Sequence, residues 1–448
     1  MEREAEHCDV AIIGGGSAGI AAAIACSRQG SSVCIIERSE RLGGAATNAE
    51  VGTVCGLSLC GSSLTGFPEL DNPGLATEFA QQLAKLSNTT LTRNDAGLTY
   101  LPYTPRSFET ASKTLLNGAR DVRTHLHTTL VLAIHTNNSF HLTVQDQTGR
   151  TRLIQSRACI DCSGDAALTM SLGTSIIASE RPQAAAQVFV LQNVPSGSEA
   201  LLGLALRKSL REGALSGALP EESSYVSLVP GSLTEDSVRC KLALPSHIQD
   251  SHRDTWRGES LRLITRAVEY LRTHSAPFSS VTLGALAPTV GIRSGRRGAG
   301  LETLNENDII HSKRSPTGVA LGFWPMELWD SPNRPTIIWP ERHAPYEIPL
   351  GALCSAHQPG LYFGGRCISA SEHAIGSARV IGTCLSTGYA AGRAAVGFVR
   401  KEAQESVVSE IRLSQVDPFY RRNGSTIAGA QLTVLDDHES SRDTSTLI

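Results

Sequence analysis

The first forty residues carry the clearest hydrophobic pattern of the chain. An apolar run over 9–13 and a second run, Val33–Ile36, predict two buried strands, and the stretch of small residues over 18–28 predicts a helix between them. Three consecutive glycines follow the first run, and Glu37 follows the second. Strand, tight turn, helix and strand in this order predict a βαβ unit with parallel strands.

The rest of the chain adds further segments of both kinds. Before residue 175 the pattern predicts two amphipathic helices and then three consecutive strands that form a β-meander. After residue 360 it predicts a short apolar strand followed by a long helix of small residues. The predicted helices are 75–86, 106–119, 166–172, 256–273 and 377–399, and the predicted strands are 125–135, 139–144, 152–160, 187–192, 226–229 and 361–363.

These patterns predict an α/β fold with two domains. Residues 1–175 and 354–431 together form a Rossmann-like domain with a central parallel sheet and a β-meander. Residues 176–353 form an inserted, mostly β (α+β) domain. The polar residues 432–448 form a disordered tail.

The turn after the first strand has the spacing Gly14-x-Gly16-x-x-Gly19, and Glu37 follows eighteen residues after the last glycine. In a βαβ unit these glycines permit a tight turn, the approach of backbone amides to a pyrophosphate, and close packing of helix on sheet. The start of the helix adds partial positive charge. A carboxylate at the end of the second strand accepts hydrogen bonds from an adenosine ribose. The pattern therefore predicts a site for FAD or NAD(H).

Composition excludes several classes of protein. The 448 residues carry a net charge of −3, which favours neither nucleic acid nor an anionic membrane as a partner. No apolar run approaches the roughly 18 residues of a membrane span, and the charged N-terminus lacks the apolar core of a secretory signal. Eleven scattered cysteines do not match a disulfide framework, so we expect a cytoplasmic location. The oligomeric state stays open.

Further motifs follow in the order and spacing typical of one family, and with them the chain resembles the FAD-dependent oxidoreductases of the glutathione-reductase-like superfamily. It is most similar to the branch related to fumarate-reductase flavoproteins. Besides 14–19 with Glu37, the motifs are Gly43-Gly44, IDCSGD at 160–165, PTVGIRSGRRGAG at 288–300, YEIP at 346–349, GGRCISAS at 364–371 and GSARV at 376–380. Two positions depart from the family pattern: Arg366 stands where many relatives have Asp, and Ser294 where they usually have Glu.

The resemblance implies that the N-terminal and C-terminal parts of the chain hold FAD together. It assigns to the cofactor Gly14, Gly15, Gly16, Ser17, Ala18, Gly19, Glu37, Arg38, Gly43, Gly44, Val131, Gly164, Asp165, Gly365, Arg366, Ser377 and Arg379. The helix that follows the GSARV motif would point its positive end at the pyrimidine side of the flavin.

Three residues are candidates for catalysis. The resemblance places Arg293 and Arg296 near the flavin, where they would bind a substrate carboxylate or stabilise charge on the flavin. Structural pairing with carboxylates is the alternative for this arginine-rich segment, which also contains Arg297. His373 is the candidate acid/base group, and a structural role near the start of the helix is its alternative.

Two further patterns do not lead to a predicted site. Cys55 and Cys60 have the C-x4-C spacing of a dithiol relay but follow Gly44 by eleven residues or more, so we predict buried or free thiols. His125 and His127 share one face of a predicted strand without a third ligand nearby, and we predict no metal.

The sequence therefore predicts an FAD-dependent oxidoreductase that transfers a hydride between FAD and a small organic substrate bound between the two domains. Two alternatives stay open. One is a flavin-dependent reductase supplied by an external electron donor, and the other is a non-catalytic paralogue that binds FAD or a nucleotide.

Overall fold

A computed structural model describes residues 5–61, 64, 66–245 and 253–423; the predicted tail 432–448 lies outside them. The strands are β1 (Glu6–Ile13), β2 (Val33–Ile36), β3 (Thr53–Cys55), β4 (Thr92–Arg93), β5 (Thr99–Pro102), β6 (Val122–His125), β7 (Thr128–Thr136), β8 (Ser139–Asp146), β9 (Thr151–Asp161), β10 (Ile176–Ile177), β11 (Ala186–Gln192), β12 (Val226–Leu228), β13 (Ser237–Ala243), β14 (Thr282–Leu286), β15 (Arg297–Gly298), β16 (Gly318–Gly322), β17 (Met326–Leu328), β18 (Thr336–Ile338), β19 (Tyr346–Pro349) and β20 (Leu361–Phe363). The helices are α1 (Ser17–Arg28), α2 (Leu75–Ser87), α3 (Pro105–Asn117), α4 (Ala167–Ser171), α5 (Glu199–Leu215), α6 (Arg253–His274), α7 (Glu306–Ile310), α8 (Ile375–Ala378), α9 (Ile381–Arg400), α10 (Gln404–Gln415) and α11 (Asp417–Arg422).

The central sheet is built around β1, which pairs in parallel with β2 on one side and with β9 on the other. Strand β6 extends the sheet beyond β2, also in parallel. The far side of β9 changes partner along its length: 151–156 pair antiparallel with β8, and 159–161 pair in parallel with β20. A β-meander of β7, β8 and β9 thus joins a parallel sheet, which confirms the predicted α/β fold.

Helix α1 packs against α9, both helices contact the central sheet, and all residues of α1 from Ser17 to Ser27 are buried. Gly388 and Gly392 are one turn apart on α9 and face α1. A Cβ atom at these positions would lie 2.1 Å from the carbonyl oxygen of Ala18 and 2.4 Å from that of Ala22, respectively. The small residues of both helices are required because the two backbones are almost in contact.

Buried apolar side chains form two main clusters. The larger surrounds the central sheet and also includes Ile309, Ala320 and Tyr346, which come from the segment before β20. The second cluster spans Ala185 to Val290 and joins the antiparallel sheet β12-β13-β11-β14 to α5 and α6. The exact domain limits at 175 and 353 stay a prediction.

Two predicted elements are each divided in the structure. The predicted strand 125–135 is interrupted at His127, whose φ is 50°, because the backbone there bonds to the end of β2: the Thr128 N–H donates to the Glu37 carbonyl at 2.9 Å. The predicted helix 377–399 becomes α8 and α9, since Val380 is extended (φ −70°, ψ 153°). No helix in the described ranges is long and apolar enough to cross a membrane.

We expect Gly392→Ala to lower the free energy of unfolding by about 1–3 kcal/mol, because the added methyl group has no space against the Ala22 carbonyl. The matched control is Gly258→Ala in α6, where no atom lies within 4 Å of the added Cβ. There the better helix propensity of alanine should raise stability by about 0.5–1 kcal/mol. Urea unfolding of both variants measures the difference, and a stabilised Gly392→Ala variant would contradict the close packing.

Candidate functional site

A groove of about 610 Å³ lies at the carboxyl ends of β1, β9 and β20, the edge at which open α/β sheets bind ligands. Each of these strands ends in a glycine-containing turn that forms part of the wall, and 288–292 forms part of the opposite wall. The residues predicted from the sequence that line this groove are Gly14, Gly16, Ser17, Ala18, Glu37, Arg38, Gly43, Gly44, Gly164, Gly365, Arg366 and Arg379.

Close backbone approaches give the groove its shape. Gly14 has a φ of 100°, and a Cβ there would lie 2.3 Å from the carbonyl oxygen of Cys162. Gly16 meets the Gly43-Gly44 turn, and a Cβ on Gly44 would lie 2.9 Å from the Gly16 Cα. The first backbone amides of α1 therefore border the groove without side chains in front of them, at the positive end of the helix.

Glu37 lies at one end of the groove and is only 6% exposed. Its Oε2 accepts a hydrogen bond from the Gly15 N–H at 2.6 Å, and its Oε1 accepts one from the Ser39 N–H at 2.8 Å. A carboxylate has about four acceptor positions. The two backbone bonds therefore fix the group and leave acceptor capacity for hydroxyl groups in the groove.

Some residues that the resemblance assigns to the cofactor do not line the groove. The Gly15 N–H holds Glu37, and a Cβ at Gly19 would lie 1.9 Å from the Gly14 carbonyl oxygen, so these glycines shape the turn. Val131 is 56% exposed and does not line the groove, whereas Thr129 on the same strand does.

Asp165 and Ser377 also make other contacts. Asp165 accepts the Arg296 backbone N–H at 2.9 Å and pairs with the Arg296 guanidinium. The Ser377 hydroxyl is fully buried, where it lies 2.7 Å from the Tyr346 hydroxyl and also donates to the Trp324 carbonyl. Both predicted contacts with the cofactor therefore lack support from the structure.

Two of the three catalytic candidates lie away from the site. Arg296 lines neither the groove nor its neighbouring cavity, and its pairing with Asp165 matches the structural alternative. His373 faces α7, with Nδ1 3.5 Å from an oxygen of Glu306, so its position does not support the predicted acid/base role. Arg297, in the same motif, is 1% exposed and pairs with Glu372 at 3.3 Å.

A second cavity of about 270 Å³, here called the small cavity, adjoins the groove. The residues that line both are Ala45, Ala49, Gly291, Ile292, Arg366, Arg379 and Ile381. Most of the other lining side chains are apolar, and they include Val51, Leu98, Val188, Val229 and Trp324. The break between α8 and α9 matters here, because it places Arg379 and the start of α9 at the junction.

Charged side chains line one part of the small cavity. They are the cationic cluster of Lys241, Arg293 and Arg379, together with Arg366 and Glu327. The indole N–H groups of Trp324 and Trp329 donate to the two oxygens of Glu327 at 3.1 and 2.8 Å. The Trp329 ring also lies 4.2 Å from the Arg293 guanidinium and 5.1 Å from the Lys241 ammonium group, measured to the ring centroid.

Burial changes the ionisation of this group. It lowers the pKa of Lys241 to about 8, with the neighbouring Arg293 as the next cause. Burial also lowers the pKa of Arg293, although a guanidinium stays protonated at neutral pH. For Glu327, burial opposes ionisation, but the attraction of the cationic cluster outweighs it and lowers the pKa.

Lys241 and Glu327 were not predicted from the sequence, although β13 carries a signal. Val238, Cys240 and Leu242 point into the second apolar cluster, so the alternate residue Lys241 points to the other face. Ser294, the departure from the family pattern, is 5% exposed and accepts the Gln183 backbone N–H at 2.8 Å.

The cysteines and histidines do not form the sites that their spacing suggests. Cys55 and Cys60 are both free, and burial raises the pKa of both thiols. His127 falls outside the strands, and His125 joins Glu6 and Cys34 in a cluster whose ligand atoms lie within 4.8 Å of one another. Hydrogen bonds to Glu6 of 3.0 Å from Cys34 and 3.1 Å from His125 already satisfy this cluster, and we assign it a structural role.

The family described as FAD dependent oxidoreductase matches residues 9–417. The chain belongs to this family. Its cofactor is accordingly FAD, and the protein is an FAD-dependent oxidoreductase. None of the curated proteins compared with the chain matches its sequence.

Solved structures with a similar fold include flavoproteins of several kinds. One is p-nitrophenol 4-monooxygenase PnpA from Pseudomonas putida DLL-E4 (10% identity, 93% of this chain and 86% of that chain covered, TM-score 0.46). Another is a geranylgeranyl bacteriochlorophyll reductase-like protein from Thermoplasma acidophilum (11% identity, 94% and 84% covered, TM-score 0.44). A third is the myxobacterial chondrochloren halogenase CndH (13% identity, 94% and 80% covered, TM-score 0.44). These values are too low to assign a substrate or a reaction.

The residues of the groove fit FAD. The glycine turns leave backbone amides open at the start of α1, Glu37 offers fixed acceptors at one end, and Arg366 and Arg379 place positive charge at the other. A dinucleotide needs an anion site, a ribose acceptor and, for a flavin, a partner for negative charge on the ring. The lining of the groove includes a residue set for each of these.

We expect Glu37→Ala to weaken FAD binding by about ten- to hundredfold, because it removes charge-assisted acceptors and releases two backbone N–H groups. Quenching of flavin fluorescence on titration of the apoprotein measures the dissociation constant. The control is Glu235→Ala, which changes an exposed carboxylate far along the chain in the β12–β13 loop. An unchanged affinity in Glu37→Ala would show that Glu37 only supports the turn.

Proposed function

We propose that this oxidoreductase transfers a hydride between FAD held in the groove and a small organic substrate held in the small cavity. The observation that carries the proposal is the wall that the two cavities share, with Arg366 and Arg379 at the junction. A ligand of the small cavity would therefore meet the inner end of the groove directly.

Each part of the site has a task in this proposal. The turn at 14–17 would hold the pyrophosphate, and Glu37 would hold the adenosine ribose. Bound FAD supplies the two-electron chemistry of hydride transfer. Arg366 and Arg379 place positive charge at the junction, where it favours an electron-rich flavin ring. The proton that accompanies oxidation of a substrate O–H or N–H group passes to solvent or to a group in the cavity.

The small cavity suits a substrate of modest size that is separated from bulk water. Its volume of about 270 Å³ lies at the lower end of the range for ligand pockets. The apolar side chains on most of its wall would exclude water from the reacting atoms, which strengthens electrostatic interactions inside. All eleven cysteines are free thiols, which supports the expected location in a reducing compartment such as the cytoplasm.

We expect the purified protein to show flavin absorbance, and an anaerobic substrate to bleach it reversibly. Acid precipitation then shows how the flavin is attached to the protein. Flavin in the supernatant means a non-covalent cofactor, and flavin in the pellet means a covalent bond. Bleaching by NADH or NADPH alone would favour the alternative, a flavin-dependent reductase that receives its electrons from an external donor. A protein that cannot be reconstituted with FAD would overturn the proposal.

A further prediction separates this function from a dithiol relay. Cys60 is buried and lines neither the groove nor the small cavity, so we expect it to play no part in hydride transfer. We expect Cys60→Ser to leave the rate of flavin reduction within about twofold of the wild type. Stopped-flow absorbance under anaerobic conditions measures this rate. A loss of reduction with FAD still bound would indicate a Cys55–Cys60 relay instead.

A further inference from the structure

We propose that the substrate of the small cavity is a small organic monocarboxylate with an apolar body, and that Lys241 and Arg293 bind its carboxylate. This inference rests on the proposed function, because it names the substrate class for the same cavity. It goes beyond the family assignment, which fixes the cofactor only.

The first step of the argument is the balance of charge. Arg366 and Arg379 line both cavities and are shared with the groove, whereas Lys241, Arg293 and Glu327 line the small cavity alone. Among these three side chains, Glu327 balances one cation and leaves one positive charge. With Arg366 and Arg379 assigned to the flavin in the proposed function, a monocarboxylate offsets the one positive charge that remains.

The second step is that the cations lack carboxylate partners, although Arg293 and Arg379 donate hydrogen bonds to backbone carbonyls and Arg379 also donates to the Gln183 amide oxygen. Within the described ranges, no carboxylate oxygen lies within 4.0 Å of the charged nitrogens of Lys241, Arg293 or Arg379, and Lys241 Nζ has no hydrogen-bond acceptor. Arg379 Nε is buried without a hydrogen bond, too. Cations enclosed in this way are costly unless a ligand provides the missing acceptors.

The third step is the position of these groups. Trp329 lies behind Lys241 and Arg293 and contacts both, while its indole N–H and that of Trp324 hold Glu327. This arrangement keeps the carboxylate of Glu327 away from an ion pair and leaves donors of both cations free for a ligand. The apolar remainder of the wall then accommodates the body of the substrate.

The test is direct binding to the FAD-loaded protein, with benzoate and butyrate as carboxylate probes and benzamide and butyramide as neutral controls. Calorimetry gives the affinity, and the absorbance spectrum of the bound flavin reports contact with the junction. We expect at least one carboxylate to bind ten- to hundredfold more tightly than its amide. Lys241→Met should abolish most of this preference, whereas Lys208→Met, at a surface side chain that is 75% exposed, should retain it.

The pH dependence provides a signature that a purely structural role would not produce. The charged and titratable groups that face Lys241 are Arg293, Arg379, Glu327 and the Cys55 thiol. The guanidinium groups stay charged, Glu327 stays ionised, and burial keeps the thiol neutral, which leaves Lys241 to titrate. The carboxylate affinity should therefore fall as the pH rises above about 8, and Lys241→Arg should restore it at high pH.

The outcomes separate the two proposals. A protein that binds no FAD would contradict the proposed function itself. Protein that binds FAD but binds neither carboxylate, or binds the amides equally well, retains the proposed function and overturns the substrate class. Preference for a carboxylate that survives in Lys241→Met and does not change with pH would also overturn it, because the anion would then bind elsewhere.

Discussion

The contact between α1 and α9 is the constraint on which the site depends. The two helices come from opposite ends of the chain, and their backbones approach until a Cβ on Gly388 would lie 2.1 Å from the Ala18 carbonyl oxygen. Helix α1 starts at Ser17 in the wall of the groove, and α9 starts at Ile381, which lines both cavities. Since both helices direct their amino termini to the same groove, their packing brings two positive helix ends toward it.

Strand β9 is the second element on which the site depends, because its partner strand changes along its length. Its first half continues the meander, and its last three residues pair with β20, which lies about 200 residues later in the chain. The turns after β9 and β20 then carry Gly164 and Arg366 to the same edge as Gly14. A strand that pairs with both parts of the sheet thus unites residues more than 200 positions apart in one groove, and each turn needs only local glycine geometry.

The sequence predicts the fold and many of the residues that line the groove, because both depend on local rules. The βαβ unit follows from hydrophobic periodicity, and Gly14, Gly16 and Glu37 follow from spacing within that unit. The small cavity depends on contacts between distant segments, which periodicity does not report. Two candidates show the limit: Arg296 and His373 lie in promising motifs, yet each faces a carboxylate that only the tertiary structure brings near. Lys241 carried a local signal, the alternation along β13, but only the packing of the sheet shows which face it occupies.

The charges in the small cavity differ in kind from those at the surface. Exposed ion pairs such as Arg28–Glu78 contribute little to the stability of the folded protein. Lys241 and Arg293 instead face an enclosed space, near a carboxylate whose oxygens are already held by two indole N–H groups. Nothing in the packing of the second cluster requires a lysine on that face of β13, because its apolar partners lie on the other face. A cation that costs free energy and stabilises no core contact is best explained by a ligand, and the wall that the two cavities share would bring that ligand beside the flavin in the proposed function.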